Sequence, residues 1–544
     1  MNRSGLTVFS IATLLGISSG ALPAKAGEFV ARESFDAVIL PVLNVNPDAD
    51  FSESDFEPIG KPVKAEPQTE AAAPIQRLPD LDLEPDEMPD ENSNEMELDI
   101  ELPDAPFLEE QQLQPVLADA VKAFRKGVRR YQKEDVAAAL DQFNKALAIN
   151  PDYAEAYVFR AATYLDLGNQ NAAMEDYRSA ISVRPDYALA HFAQGALFYE
   201  MGELSSALSA FDRAIAINPD YAEAYDYRGL TKAAARNFEG ALADYDMALM
   251  LDATYPPALM HRGAALIEMQ AFDSAIAPLT AAIDNSNDYA EAYLNRGVAY
   301  YNMGNLSAAL RDLNEAIDIN SESSEAFFNR SYVYSAMGRP TDALKDINTV
   351  LSRQPNSVEA YMARGTLYGA QGNNAAAIAD FNRVIELDTY SSEAYEQRAA
   401  IHLANDNPAD AIADYDSAVG LSPSDEGIYK GRADAYAVYG NLPAAIADYT
   451  YAIELDNANE SALAARGRAL YESGDANSAY RDFSTIIRRN PAAAADIYYY
   501  RGLSLVALGD SFAAHNDLQA AAERYLASGQ ADGYRAVLDR MKDL

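Results

Sequence analysis

Residues 290–323 read AEAYLNRGVAYYNMGNLSAALRDLNEAIDINSES, and this stretch decides the fold. Its apolar residues recur at three- and four-residue spacing in two blocks, each about 13 residues long, which is the pattern of two amphipathic helices. Met303-Gly304-Asn305 separates the blocks: Gly ends one helix and Asn opens the next. The same 34-residue pattern runs in phase from Ala120, with repeats starting at 120, 154, 188, 222, 256, 290, 324, 358, 392, 426 and 460. One extra residue then intervenes and a twelfth repeat begins at Ala495. Pro151, Pro185, Pro219, Pro355, Pro423 and Pro491 punctuate the joins between repeats.

Within each repeat the residue types are tied to position. Position 4 is large in Tyr157, Tyr225, Tyr293, Phe327, Tyr361, Tyr395, Tyr429 and Tyr498. Position 8 is small, as in Ala161, Gly229, Gly297, Gly365 and Gly467, and position 20 is Ala in all twelve repeats, from Ala139 to Ala514. Position 24 is large again, as in Phe143, Tyr177, Tyr245, Phe381 and Phe483. Small residues let two helices approach, and the aromatics fill the gaps between neighbours. One helix pair cannot bury its apolar face alone, so stacking supplies a continuous core.

This pattern resembles the tetratricopeptide repeat family over residues 120–528. The resemblance implies an all-α, right-handed superhelical solenoid of about twelve helix-turn-helix repeats with a concave inner surface. It also implies a ligand surface at positions 2, 5, 9, 12 and 13 of the first helices. Carried onto this chain, that surface holds Phe192, Tyr199, Leu294, Val298, Tyr301, Phe328, Tyr332 and Met362, with Glu155, Glu223, Glu291, Glu325, Glu359 and Glu393 at position 2. Apolar anchors among carboxylates suit an extended or helical partner segment with basic flanks.

The chain departs from the family at position 7, usually Leu, which is Arg in ten repeats, while position 23 is Asp in nine. Arg160 goes with Asp176, Arg296 with Asp312, Arg364 with Asp380 and Arg432 with Asp448. In a helix pair that turns near position 15, positions 7 and 23 lie about level. The expectation is therefore a structural salt bridge, within each repeat or to the next. Where Asp is missing in the third repeat, Gln194 replaces Arg; only Arg262, opposite Pro278, breaks the pairing. Pro256-Pro257 and Pro278 also suggest a hinge near 250–290. Tyr534, Val537, Leu538 and Met541 fall at helical spacing in 529–544, which reads as a capping helix.

The N-terminal part is different. Arg3, the apolar run from Leu6 to Leu22 and Ala24-Lys25-Ala26 read as a secretory signal peptide over 1–26. Residues 27–115 hold 24 Asp or Glu, four Lys or Arg and 12 Pro, so this segment is expected to be disordered. Phe35 to Leu43 is an apolar stretch inside it with the character of a docking motif. The expected location is the bacterial periplasm, with secretion or the cell surface as the second choice.

The net charge of −41 argues against nucleic acid and anionic lipid as partners. The absence of Cys excludes disulfides, thiolate nucleophiles and Cys-held metals. His191 and His402 fall at positions for aromatics, and His261 and His515 stand isolated in the sequence. No zinc-protease, nucleophile-elbow, phosphate-loop or dinucleotide motif is present. The expectation is a non-enzymatic scaffold or adaptor with no cofactor and no metal. Alternatives are an accessory module of an envelope assembly or polysaccharide export machine, or a periplasmic chaperone-like holder.

Overall fold

The computed structural model describes residues 115–542, all of them helical or in short turns. The signal peptide, the acidic Pro-rich segment and the Phe35–Leu43 stretch lie outside the described residues. The helices are α1 (Pro115–Tyr131), α2 (Val136–Ile149), α3 (Ala154–Asp166), α4 (Gln170–Val183), α5 (Ala188–Glu200), α6 (Leu204–Ile217), α7 (Ala222–Ala234), α8 (Phe238–Leu251) and α9 (Pro256–Glu268). They continue with α10 (Phe272–Asn285), α11 (Ala290–Asn302), α12 (Leu306–Ile319), α13 (Ser324–Ala336), α14 (Pro340–Arg353), α15 (Val358–Ala370), α16 (Asn374–Leu387) and α17 (Ser392–Ala404). The series ends with α18 (Pro408–Leu421), α19 (Glu426–Tyr439), α20 (Leu442–Leu455), α21 (Glu460–Glu472), α22 (Ala476–Arg489), α23 (Ala495–Ala507), α24 (Ser511–Ala527) and α25 (Ala531–Lys542). Odd-numbered helices up to α23 are the first helix of a repeat and even-numbered ones the second.

The turn inside each repeat is built the same way every time. Position 15 has a positive φ in all twelve repeats, on Gly in eight and on Glu134, Arg236, Gln270 and Asp406 in four. That left-handed residue lets two amides return to the end of the first helix. In the sixth repeat Gly304 N–H donates to the Tyr301 carbonyl at 2.9 Å and Asn305 N–H to the Tyr300 carbonyl at 2.8 Å. Position 16 is then Asn or Asp in many repeats and caps the second helix: Asp135, Asn169, Asn237, Asn305, Asn441, Asp475 and Asp510 each accept a backbone N–H. Ser323, Ser357 and Ser391 cap first helices likewise.

The described residues group into two compact units, 115–197 and 198–542. In the first, Phe124, Phe143, Tyr153 and Phe159 interlock with ring centroids 4.9–5.9 Å apart. In the second, successive apolar clusters follow one another along the helix pairs. Position 24 supplies most of the largest fully buried side chains, and each sits against the small position 8 of its own repeat. A Cβ on Gly365 would come within 2.7 Å of the Phe381 ring, and one on Gly229 within 2.5 Å of Tyr245. At these two repeats the close packing leaves no room for a side chain at position 8.

The proposed hinge region contains no helix break. Pro256 and Pro257 open α9 at its first turn, where a missing N–H costs nothing, and α10 runs continuously from Phe272 to Asn285 through a buried Pro278. At the C-terminus α25 inserts Val537 fully into the last apolar cluster, with Tyr534 and Met541 against it, while Leu538 points to solvent.

Candidate protein-binding surface

The residues at positions 7 and 23 form a ladder. In nine repeats the Arg guanidinium grips the Asp carboxylate of its own repeat with two parallel bonds, Nε to Oδ2 and Nη2 to Oδ1, at 2.5–3.0 Å. This fork-on-carboxylate geometry is the strongest form of such a pair. Bonding between positions 7 and 23 also sets the two helices antiparallel.

The third donor does something the repeat pattern had not announced. Nη1 reaches back to position 25 of the preceding repeat: Asn144, Asp212, Thr280, Asn314, Asn348, Asn382, Asp416 and Thr450 accept it at 2.5–3.1 Å. Eight of the nine Arg thus pin their own helix pair and tie it to the previous one. The signal was in the sequence, since position 25 carries an acceptor wherever the next repeat carries Arg and switches to Arg178 before Gln194. Ser484 holds the same place before the extra residue, and its hydroxyl is buried without a partner. The position-4 ring covers the guanidinium, at 5.2–5.7 Å from its centroid in eight repeats. Hydrogen bonding to Asp380 holds Arg364 above its ordinary value, and Arg398 and Arg432 are held up in the same way by Asp414 and Asp448. The ladder leaves none of its cations open to a ligand.

The eight residues expected to line the groove are mostly in the core. Phe192, Leu294, Val298, Phe328, Tyr332 and Met362 are buried, and only Tyr199 and Tyr301 are half-exposed. Leu294 packs with Leu313 and Val333, Phe328 stacks edge-on to Tyr332 at 5.0 Å, and Met362 joins Phe381 and Val384. Position 5 and position 9 side chains of this size fill the space between successive first helices. Those six residues are therefore packing residues rather than an exposed anchor row.

The exposed part of that face lies further along. Seven residues of α11 are buried, but only Ala394 and Ala399 are buried in α17. The cause is side-chain size. Where the sixth and seventh repeats place Val298, Tyr301 and Tyr332, the eighth and ninth place Thr366, Gly369, Ala400 and Leu403, and Ala400 and Ala404 are exposed. The first helices α15 and α17 also carry Glu359, Glu393 and Glu396. Burial, reinforced by Asp425, Glu393 and Glu426, pushes the Glu396 carboxyl up to about 7. Glu393 is open to solvent, yet the protein atoms around it raise its carboxyl too.

His261, isolated in the sequence, is paired in space. Its Nδ1 lies 2.9 Å from Asp226 Oδ1, and both residues are buried. The two sit at position 6 of the fifth repeat and position 5 of the fourth, where neither residue recurs, so periodicity gave no signal. Nearby Lys232 adds a second cation to Asp244 at 2.6 Å. Among the described residues no group of three His, Asp or Glu is placed to hold a metal ion. Among them, too, no helix is long and apolar enough to cross a membrane.

Helix pairs in phase, most of them bonded to the last through the same three positions, define a helical repeat protein. Models of the TPR repeat match residues 161–202 and 195–234, and models of the tetratricopeptide repeat match 290–323, 328–392 and 396–460. Residues 161–460 thus carry tetratricopeptide repeats, a fold that is typically a non-enzymatic scaffold for protein–protein interaction. Among solved structures, a tetratricopeptide repeat protein from Parabacteroides merdae is 21% identical, over 46% of this chain and 98% of its own, with a TM-score of 0.37. A chain of the APC/C hetero-tetramer Cut9–Hcn1 is 12% identical over 78% and 96%, with a TM-score of 0.41. Yeast Tom70 is 14% identical over 78% and 96%, with a TM-score of 0.36. No curated protein matches the sequence.

Proposed function

We propose that this chain is an exported scaffold or adaptor of the bacterial cell envelope that holds extended or helical segments of partner proteins on the face of its first helices. The observation that carries the reading is the first-helix face at α17, where only Ala394 and Ala399 are buried against seven residues in α11, and Ala400 and Ala404 are exposed. A repeat array gains stability by burying such a face, so a less buried one favours an incoming chain. Export is supported by the charged, apolar and small-residue pattern of residues 1–26.

The test is site-specific photo-crosslinking in cells. A crosslinking residue at Ala400 or Ala404 is expected to trap a discrete partner, and one at Glu315 on the second helix α12 is not. Fractionation of the same cells should place the tagged protein in the envelope, with Gly27 at its N-terminus. A protein retained in the cytoplasm would overturn the location. Equal trapping from both positions, or none, would overturn the binding face.

A further inference from the structure

We infer that Glu95–Leu102, in the chain's own acidic segment, docks on the cationic outer face of α1 and covers the first end of the array. In the eleven later repeats position 3 is Ala or Ile and buried. There it joins the second helix of the repeat before: Ala292 shares a cluster with Leu279 and Ile283, and Ala360 with Ile347 and Val350. Position 10 lies on the same side, with Ala299 in the Leu279 cluster and Val333 in that of Leu313. Among the described residues α1 has no repeat before it, and it carries Lys122 at position 3 and Arg129 at position 10. Lys126, and Lys133 in the turn after α1, continue the line at helical spacing. All four are exposed, opposite the buried Phe124, Val128 and Tyr131.

A terminal repeat needs a polar outer face, but polarity alone does not call for one sign of charge. Residues 120–133 hold six Lys or Arg and no Asp or Glu, in a chain with 83 acidic residues against 42 basic. Lys122 and Lys126, Arg125 and Arg129, and Lys126 and Arg130 are like charges four apart, which destabilises a helix unless an anion stands over them. Asp135 meets Arg130 at 3.0 Å, at one edge of this stripe. Charge, spacing and tether choose the occupant. Residues 78–121 hold fifteen Asp or Glu and no Lys or Arg, and they lead directly into the stripe. Within them Glu95-Met96-Glu97-Leu98-Asp99-Ile100-Glu101-Leu102 alternates acidic with apolar residues. On an extended chain that alternation sets four carboxylates along one side over about 20 Å. The four cations of the stripe span about 17 Å along the helix axis. Residues 103–114 join Leu102 to the start of α1, enough chain to turn back and lay Leu102 near Lys122 and Glu95 near Lys133. A separate polyanion must reach the stripe from solution, whereas this segment is tethered at a roughly millimolar effective concentration.

The test uses the chain from Gly27 to Leu544, which has no Cys, with nitroxide labels on Ser93→Cys and Gln132→Cys. Double electron–electron resonance at about 0.1 M salt should give a narrow distance distribution below about 20 Å. An undocked segment gives a broad one centred at roughly 35 Å, and about 1 M salt should move the first toward the second. Lys122→Glu/Lys126→Glu/Lys133→Glu should release the segment, and so should Glu95→Lys/Glu97→Lys/Asp99→Lys/Glu101→Lys. Combining the two sets should restore the short distance, which no loss of folding can imitate. The reversal Asp82→Lys/Glu84→Lys/Asp86→Lys/Glu87→Lys should leave the short distance in place. Equal release by both segment reversals would show attraction to net charge alone and overturn the assignment. A broad distribution in the parent at every salt concentration would also overturn it, as would a short distance that neither set of reversals moves. A short distance that vanishes when labelled chains are diluted with unlabelled ones belongs to a second copy and overturns the contact within one chain.

Discussion

Replacing Arg364 by Ala removes two bonds to Asp380, at 2.8 and 2.7 Å, and one to Asn348 at 2.7 Å. Asp380 is left 5% exposed with no counter-charge. Breaking a fully buried pair costs about 3–5 kcal/mol, but the Arg364 side chain is 21% exposed, so water can enter behind it and the lower end, about 2–3 kcal/mol, is expected. Asp380→Ala should cost about 2 kcal/mol, because the guanidinium keeps Asn348, its Tyr361 cover and some solvent. The double variant removes both charges and should cost about 1–3 kcal/mol less than the sum of the singles. Asn348→Ala tests the link between repeats: it should cost about 1 kcal/mol alone and almost nothing once Arg364 is gone. Urea unfolding followed by far-ultraviolet circular dichroism gives the global cost. A long array need not unfold in one step, so hydrogen exchange at the amides of α15 and α16 gives the local one. Additivity of Arg364→Ala and Asp380→Ala to within about 0.5 kcal/mol would refute the coupling.

Three further outcomes follow from single contacts. Gly365→Ala must displace the Phe381 ring, which its Cβ would approach to 2.7 Å, and should cost about 1–3 kcal/mol, read as a fall in Tm. Gln270 holds the left-handed turn with φ +59° where most repeats use Gly, so Gln270→Gly should stabilise by up to about 1 kcal/mol; a lower Tm would refute the turn argument. Burial raises Glu396 from 4.5 to about 7, so the folded chain holds that proton when the unfolded chain has lost it, and stability falls as pH rises through this window. Glu396→Gln should therefore raise Tm above that of the parent at pH 8 and leave it unchanged near pH 4.5, whereas an effect equal at both pH values would refute the ionisation account.

The helix pairs were legible because their signals are local and repeated. Gly or Asn at the turn, Ala at position 20 and a ring at position 24 each act on a neighbour within one repeat, and twelve copies separate rule from accident. The Arg–Asp pairing was legible for the same reason. Its second arm to position 25 was not, because Asn, Asp and Thr there look unlike one another and share only an acceptor oxygen. The burial of six of the eight expected groove residues was missed for a different cause. Position in a repeat says which way a Cβ points, but whether the space is filled depends on the size of side chains one repeat away. Large residues such as Phe328 and Tyr332 read as anchors when alone and as core when stacked. The less buried stretch shows itself by small residues such as Ala400 and Ala404, and small residues carry no motif.

The exceptions in the ladder are one-sided, and burial explains why. Across the nine pairs the Asp side chains are 3–13% exposed and the Arg side chains 15–21%. An Arg that loses its Asp can turn outward, whereas an Asp that loses its Arg is stranded in the interior. Every position-23 Asp accordingly keeps its Arg, while Arg262 survives opposite Pro278 by turning to Asp246 at 2.8 Å, with its side chain one-third exposed. Where the Asp at position 23 became Ala210, the Arg became Gln194. Because these cations are consumed inside the array, they cannot neutralise the carboxylates on the first-helix face. The excess negative charge is left on that face, and the same bonds that hold the repeats together thereby set the sign of its field.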